Sequence, residues 1–198
     1  MDQESHSETI DKERLCNPWP LLIVDNFLPG SVIAKALKDI DASKSAFTVE
    51  DRRVGRIEYD ILRSKNLWRH LYSLDTINLL SATFGGSISL DARNLIQLRR
   101  SDDATPAFGI HNDFVEGEDT IVSFLYLAAG WKMEYGGELL LYSHEAAVKP
   151  DAAVEPIQNR FVAFRTLSTH WHAVAKVKKW IRLSAMALWK RKVAENVG

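Results

Sequence analysis

The sequence is short of the features that mark secreted, membrane-bound or nucleic-acid-binding chains. It has one cysteine in 198 residues. Cys16 alone cannot close an intrachain disulfide, and such usage suits a reducing compartment. No stretch approaches the roughly 18 consecutive apolar residues of a membrane span. The N-terminus, MDQESHSETIDKER, is polar and has no apolar core of a signal peptide. There is little net charge: 25 basic and 26 acidic residues leave −1 at pH 7, which gives no electrostatic case for nucleic acid or for a membrane surface. A cytoplasmic location is expected. What remains is an ordinary globular composition, 46% hydrophobic and 26% charged, with length enough for one domain and a substantial core.

Residues 1–16 read as a disordered tail and 17–198 as a single domain. Leu21–Val24 is a short apolar run between Pro20 and Asp25, which predicts a buried strand. After Pro29-Gly30-Ser31 the spacing of Val32, Ile33, Ala36, Leu37 and Ile40 predicts a helix, and a second is expected from about Lys65 to Thr83, ended by Gly85-Gly86. Between them the charged segment Glu50–Arg56 reads either as a solvated loop or as a lid over a substrate. From Ser87 the pattern turns to strands, expected over 87–100, 107–111, 120–128, 137–143, 160–165, 170–176 and 180–189, with turn residues between them. Helices followed by a long run of strands predict an α+β fold. The last two strands are expected to form a hairpin about 176–179, with 172 and 182 opposite one another.

Six histidines are present, and a lone histidine on a strand is more often a packing residue than a ligand. His111 differs because Asp113 follows at i+2, so both project from the same side of an extended segment. A second histidine from the distant 170–172 stretch would complete a two-histidine, one-carboxylate triad with open positions, an arrangement suited to non-haem Fe(II) and oxygen chemistry. His170 and His172 share a face, so spacing leaves both open. Arg182 and Ser184 share another by the period of two, and a guanidinium fork there suits a carboxylate.

These segments come in a recognisable order: HND at 111–113, TIVSFLYLAAGW at 120–131, GGELLLY at 136–142, NRFVAF at 159–164 and WHAVAKVKKWIRLS at 171–184. With PLLIVDNFLP at 20–29, they resemble the Fe(II)/2-oxoglutarate-dependent dioxygenases, in particular the prolyl-hydroxylase-like branch. The resemblance implies a double-stranded β-helix, or jelly roll, with supporting N-terminal helices. It implies Fe(II) held by His111, Asp113 and His172, the last chosen over His170 because Trp171-His172-Ala173-Val174 matches the family's aromatic-His-x-Val. It implies 2-oxoglutarate as co-substrate, its distal carboxylate gripped by Arg182, Ser184 and Tyr126, with O2 as the oxidant and succinate and CO2 as products. One departure is the turn before the first histidine, where the family often has Tyr and Gly and this chain has Arg99-Arg100-Ser101-Asp102-Asp103.

Asp113 fills the metal position that a halide would need, so hydroxylation is expected over halogenation, with desaturation or ring formation as lesser variants. The expected substrate is a small molecule carrying an anionic group, met by Arg52, Arg99, Arg100 and His170; surface pairing of these arginines with Asp51, Asp102 and Asp103 is the plain alternative. A prolyl-peptide hydroxylase and a non-catalytic, cupin-like metal-binding module are the other functions the sequence allows. Oligomeric state is left open by the sequence.

Overall fold

A computed structural model describes residues 12–15, 17–42, 47, 49–51, 53–58, 65–91 and 97–193. Thirteen strands are present among them, all in two sheets packed face to face, with helices on one outer face. The large sheet contains β1 (Lys12–Leu15), β2 (Leu21–Val24), β3 (Val49–Asp51), β4 (Gly55–Glu58), β5 (Ser87–Leu90), β6 (Gln97–Ser101), β8 (Thr120–Tyr126), β11 (Phe161–Arg165) and β13 (Arg182–Lys192). The small sheet contains β7 (Phe108–His111), β9 (Leu139–Tyr142), β10 (Ala152–Val154) and β12 (Trp171–Val174), in the order β10-β9-β12-β7. Each pairing that joins them is antiparallel. This is the expected jelly roll.

Alternation of side chains accounts for the layering. Along β8 all seven residues are buried, because the strand is covered on both faces. Ile121 and Leu125 join Ala185, Ala187 and Trp189 of β13 in an outer cluster with Leu67, Leu71 and Leu80 of the helices. Val122, Phe124 and Tyr126 point the other way and meet Leu139 and Leu141 of the small sheet, Phe164 and Met186. Trp189, fully buried, donates its indole N–H to Ser123 Oγ at 2.9 Å, so its polar edge is satisfied inside the sheet.

Several expectations change. The hairpin of residues 170–189 does not form: β12 pairs with β7 and β9, whereas β13 pairs with β5, β6 and β8. The link at 175–181 crosses between sheets, with Lys179 at φ 53°, so His172 and Arg182 come from opposite sheets rather than from neighbouring strands. The single helix read over 65–83 is two, α2 (Lys65–Leu71) and α3 (Leu74–Phe84), following α1 (Gly30–Ala42). Ser73 breaks it by capping α3, its Oγ accepting from Thr76 N–H at 3.2 Å. Within the segment read as loop or lid, β3 and β4 form an edge hairpin paired to β6. Residues 12–15, read as tail, pair with β2; residues 1–11 and 16 lie outside the described residues. No helix among the described residues is long and apolar enough to cross a membrane.

Candidate metal and co-substrate site

Pairing of β7 with β12 sets His172 directly opposite His111, with the two imidazole centroids 4.2 Å apart. Asp113 follows just past the end of β7. Its Oδ2 lies 3.4 Å from His172 Nε2 and its Oδ1 3.9 Å from His111 Nε2. One ligand atom from each of the three lies within 4.8 Å of the other two, close enough to share one metal ion. The rings are turned for it: His111 Nδ1 donates to Gly109 O at 2.8 Å and His172 Nδ1 to His170 O at 3.0 Å. A donating Nδ1–H leaves the Nε2 lone pair for the metal. Stacking on Phe108, at a centroid separation of 3.9 Å, further fixes His111.

The electrostatics agree. Burial holds the His111 pKa below its ordinary value, with the charge of His172 adding to the effect. Burial opposes ionisation of Asp113, but the hydrogen bond and charge of His172, with the charges of His111 and Arg99, together hold its pKa below the usual value. A neutral imidazole and an ionised carboxylate are the forms that bind a divalent cation.

Across the cavity, Arg182 and Ser184 project from β13 and Tyr126 from β8, with Ser184 and Tyr126 in register. All three are buried. Arg182 Nε donates to Gly137 O at 3.0 Å, its Nη1 donates to Ser184 Oγ at 3.4 Å, and its guanidinium carbon sits 5.0 Å from the Tyr126 ring centroid. Among the described residues Arg182 has no carboxylate partner and the Tyr126 hydroxyl has no hydrogen-bond partner. Burial pushes the Tyr126 hydroxyl up, against the opposing pull of Arg182, which keeps it a neutral donor. A buried guanidinium without its anion and a buried phenol without an acceptor are both costly, and one ligand carboxylate would satisfy both. These residues therefore fit the distal end of 2-oxoglutarate, as the triad fits Fe(II).

The other sequence candidates divide. Arg99 lines the cavity that contains the triad and Arg182. Arg100, one residue on, faces the other way and pairs with Asp102 at 3.2 Å, because neighbouring residues of a strand alternate. His170 does not line the cavity: it is buried behind His172, stacked on Trp19 with centroids 4.6 Å apart, and gives Nδ1–H to Arg165 O at 2.6 Å. Its carbonyl, rather than its ring, serves the site. Arg52 lies outside the described residues. Two residues were missed by sequence reasoning. Gly137 supplies the carbonyl that orients Arg182, and the Gly136-Gly137 pair was its only visible signal. Gln97, two residues before Arg99 on the same face, accepts from Arg99 Nε and Nη2 at 3.1 and 2.9 Å.

A family model described as the 2OG-Fe(II) oxygenase superfamily matches residues 96–191, the stretch that holds the triad and the anchor. Over that stretch, just under half of its length, the chain is similar to the 2OG-Fe(II) oxygenases. Solved structures share the fold. A prolyl hydroxylase from Trichoplax adhaerens, in complex with a hypoxia inducible factor peptide fragment, is 19% identical with a TM-score of 0.66, covering 86% of this chain and 83% of its own. The viral collagen prolyl hydroxylase of Paramecium Bursaria Chlorella virus-1, solved as its 2OG complex, is 14% identical with a TM-score of 0.64, over 90% and 99% of the two chains. The non-heme alpha ketoglutarate dependent epimerase SnoN from nogalamycin biosynthesis is 14% identical at a TM-score of 0.66, over 86% and 78%. A search of curated proteins finds no match. Family match and triad together make this oxygenase an Fe(II)- and 2-oxoglutarate-dependent dioxygenase that consumes O2.

Proposed function

We propose that this dioxygenase hydroxylates a small molecule, with release of succinate and CO2, within one domain that runs to the end of β13. The observation that carries the reading is a single cavity of about 660 Å³ whose walls include His111, Asp113 and His172 on one side and Arg182 on the other. That volume suits a co-substrate and a small organic molecule together. His111, Asp113 and His172 hold the metal. Arg182, Ser184 and Tyr126 fix the distal carboxylate of 2-oxoglutarate and so orient its other end toward the triad. Val122, Phe124, Leu139, Met186 and Leu188 line the space between and exclude water from it. When bound, Fe(II) and 2-oxoglutarate supply the activation of O2 that substrate oxidation needs.

Anaerobic titration with Fe(II) and 2-oxoglutarate, followed by the weak visible charge-transfer band, tests the cofactor assignment without knowledge of the substrate. A saturable band is expected in the native protein and none in the Asp113→Ala variant. A native protein that gives no band refutes the reading. Peptide hydroxylation is a second reading, favoured by the exposed Phe114 and Val115 just beyond Asp113. Substrate-dependent succinate release separates the two: turnover of free carboxylated metabolites supports the first, and turnover of prolyl peptides alone supports the second.

A further inference from the structure

The sheet register points to a feature of the cavity beyond the triad and the Arg182 anchor. Arg99 of β6 lies directly opposite Ser184 of β13, and Ser184 lies opposite Tyr126 of β8. Directly opposite residues in a sheet share a face. The row Tyr126, Ser184, Arg99 therefore shares the inner face of the large sheet, and Arg99, which lines the cavity, places a second guanidinium one strand beyond the Ser184 hydroxyl. Arg99 is also held. Both its Nε and Nη2 donate to Gln97 Oε1, which fixes a side chain that would otherwise sample many rotamers. Arg99 lines the same cavity as His111, Asp113 and His172. A fixed cation in that cavity, one strand from the anchor, suits an anion bound between the anchor and the triad.

We propose that Arg99, braced by Gln97, is a second carboxylate anchor on the floor of this cavity, beside Ser184. The proposal rests on the function proposed above. Two sources can supply that carboxylate: the metal-side carboxylate of the 2-oxo acid, or a carboxylate of the primary substrate. Arg182 and Arg99 then divide the work, the first reading the distal end of 2-oxoglutarate and the second reading a carboxylate nearer the metal.

The test uses full-length protein loaded anaerobically with Mn(II) and titrated calorimetrically with 2-oxoglutarate and with 2-oxopentanoate, which lacks the distal carboxylate. Arg182→Gln is expected to weaken 2-oxoglutarate alone. Arg99→Gln is expected to weaken both acids about tenfold or more, the loss of one charge-assisted contact, with partial rescue in Arg99→Lys. If both acids bind Arg99→Gln as they bind the native protein, the anchor serves the primary substrate. A panel of small carboxylates added to the Mn(II)- and 2-oxoglutarate-loaded protein, read by broadening of their proton resonances, should then bind about tenfold more weakly to Arg99→Gln. Mn(II) itself should bind that variant as tightly as the native protein or more so, because a cation near the triad has been removed. Unchanged binding in both arms overturns the proposal, as does a parallel loss of Mn(II) and ligand, which marks a structural role. Failure of the loaded native protein to bind 2-oxoglutarate at all sinks the proposed function instead.

Discussion

The metal-binding half of the site and the anchoring half stand on opposite sheets and differ in how far they are withdrawn from water. The triad sits where the small sheet ends. Asp113 lies beyond the last residue of β7 and its side chain is 43% exposed, and no residue of β7 is fully buried. The anchor sits on central strands of the large sheet, with Arg182 4%, Tyr126 1% and Ser184 0% exposed. Openness on the metal side leaves room for substrate and O2 to approach. Burial on the anchor side makes a single carboxylate contact strong, because the low dielectric that penalises an unpaired guanidinium also strengthens its pairing. Two strands, β13 and β8, hold the grip, while the end of β7, its following loop and the buried His172 of β12 hold the metal side.

Removing a metal ligand should do most damage. His111→Ala, Asp113→Ala and His172→Ala are each expected to abolish succinate formation and lower iron occupancy, measured by metal analysis of protein purified after anaerobic loading. Asp113→Ala should melt near the native apo value because its carboxylate is partly exposed, whereas His172→Ala, which empties a buried site against Trp19 and Phe164, should melt earlier. Retained activity in His172→Ala combined with loss in His170→Ala would reverse the assignment of the second histidine.

Arg182→Ala comes next. Losing a buried charge-assisted pair typically costs about 2–5 kcal/mol, so the apparent 2-oxoglutarate requirement should rise by about thirtyfold or more. Iron binding should be unaffected. Without ligand, the variant should melt close to the native protein, because among the described residues Arg182 has no carboxylate partner and loses only its hydrogen bonds to Gly137 O and Ser184 Oγ. An unchanged co-substrate requirement in a folded variant would remove Arg182 from the site.

The same contrast explains what the sequence disclosed. Asp113 was legible because it follows His111 by two, and Arg182 with Ser184 because a strand repeats every two residues; both are local facts. That β12 and β13 belong to different sheets is not local. Their separation by a short turn-like stretch reads as a hairpin, and only the pairing of β12 with β7 and β9 shows the crossover. Arg99 and Arg100 were both candidates because alternation says that they face opposite ways without saying which one faces inward. His170 and His172 shared a predicted face, yet β12 begins at Trp171, so His170 lies before the strand and follows the turn at Leu167. The charged segment around Asp51 showed little apolar alternation, and its hairpin holds by edge pairing to β6 with Ile57 buried.

Gly137→Ala should produce a smaller effect, confined to the anchoring half. The backbone is at φ 84°, where a Cβ costs about 1–2 kcal/mol, and that Cβ would come 3.2 Å from Arg182 Cδ and 3.3 Å from Val177 Cγ2. The expected outcome is a modest fall in melting temperature with 2-oxoglutarate affinity reduced severalfold and metal affinity unchanged. Equal weakening of both ligands would show that the glycine supports the whole cavity rather than the Arg182 orientation.

Protons should give the smallest effect, and they act on the metal half. Burial lowers the pKa of His111, and that of His170, below the ordinary 6.5. A histidine depressed in the folded state stabilises the fold above its unfolded pKa. That contribution is lost as the pH falls from about 6.5 through the folded value, because the unfolded chain takes up its proton first. The ligand-free protein should therefore melt progressively earlier as the pH is lowered from 7 through 6. His170→Phe keeps a ring to stack on Trp19 and removes one of the two groups, so its melting temperature should depend less steeply on pH over this range. Bound metal should flatten the profile further by holding His111 unprotonated. Arg182 stands on the other sheet, so the shape of the curve should be the same in Arg182→Ala. A shape altered by Arg182→Ala, or unaltered by His170→Phe, would mean that the pH response does not belong to the metal side of the cavity.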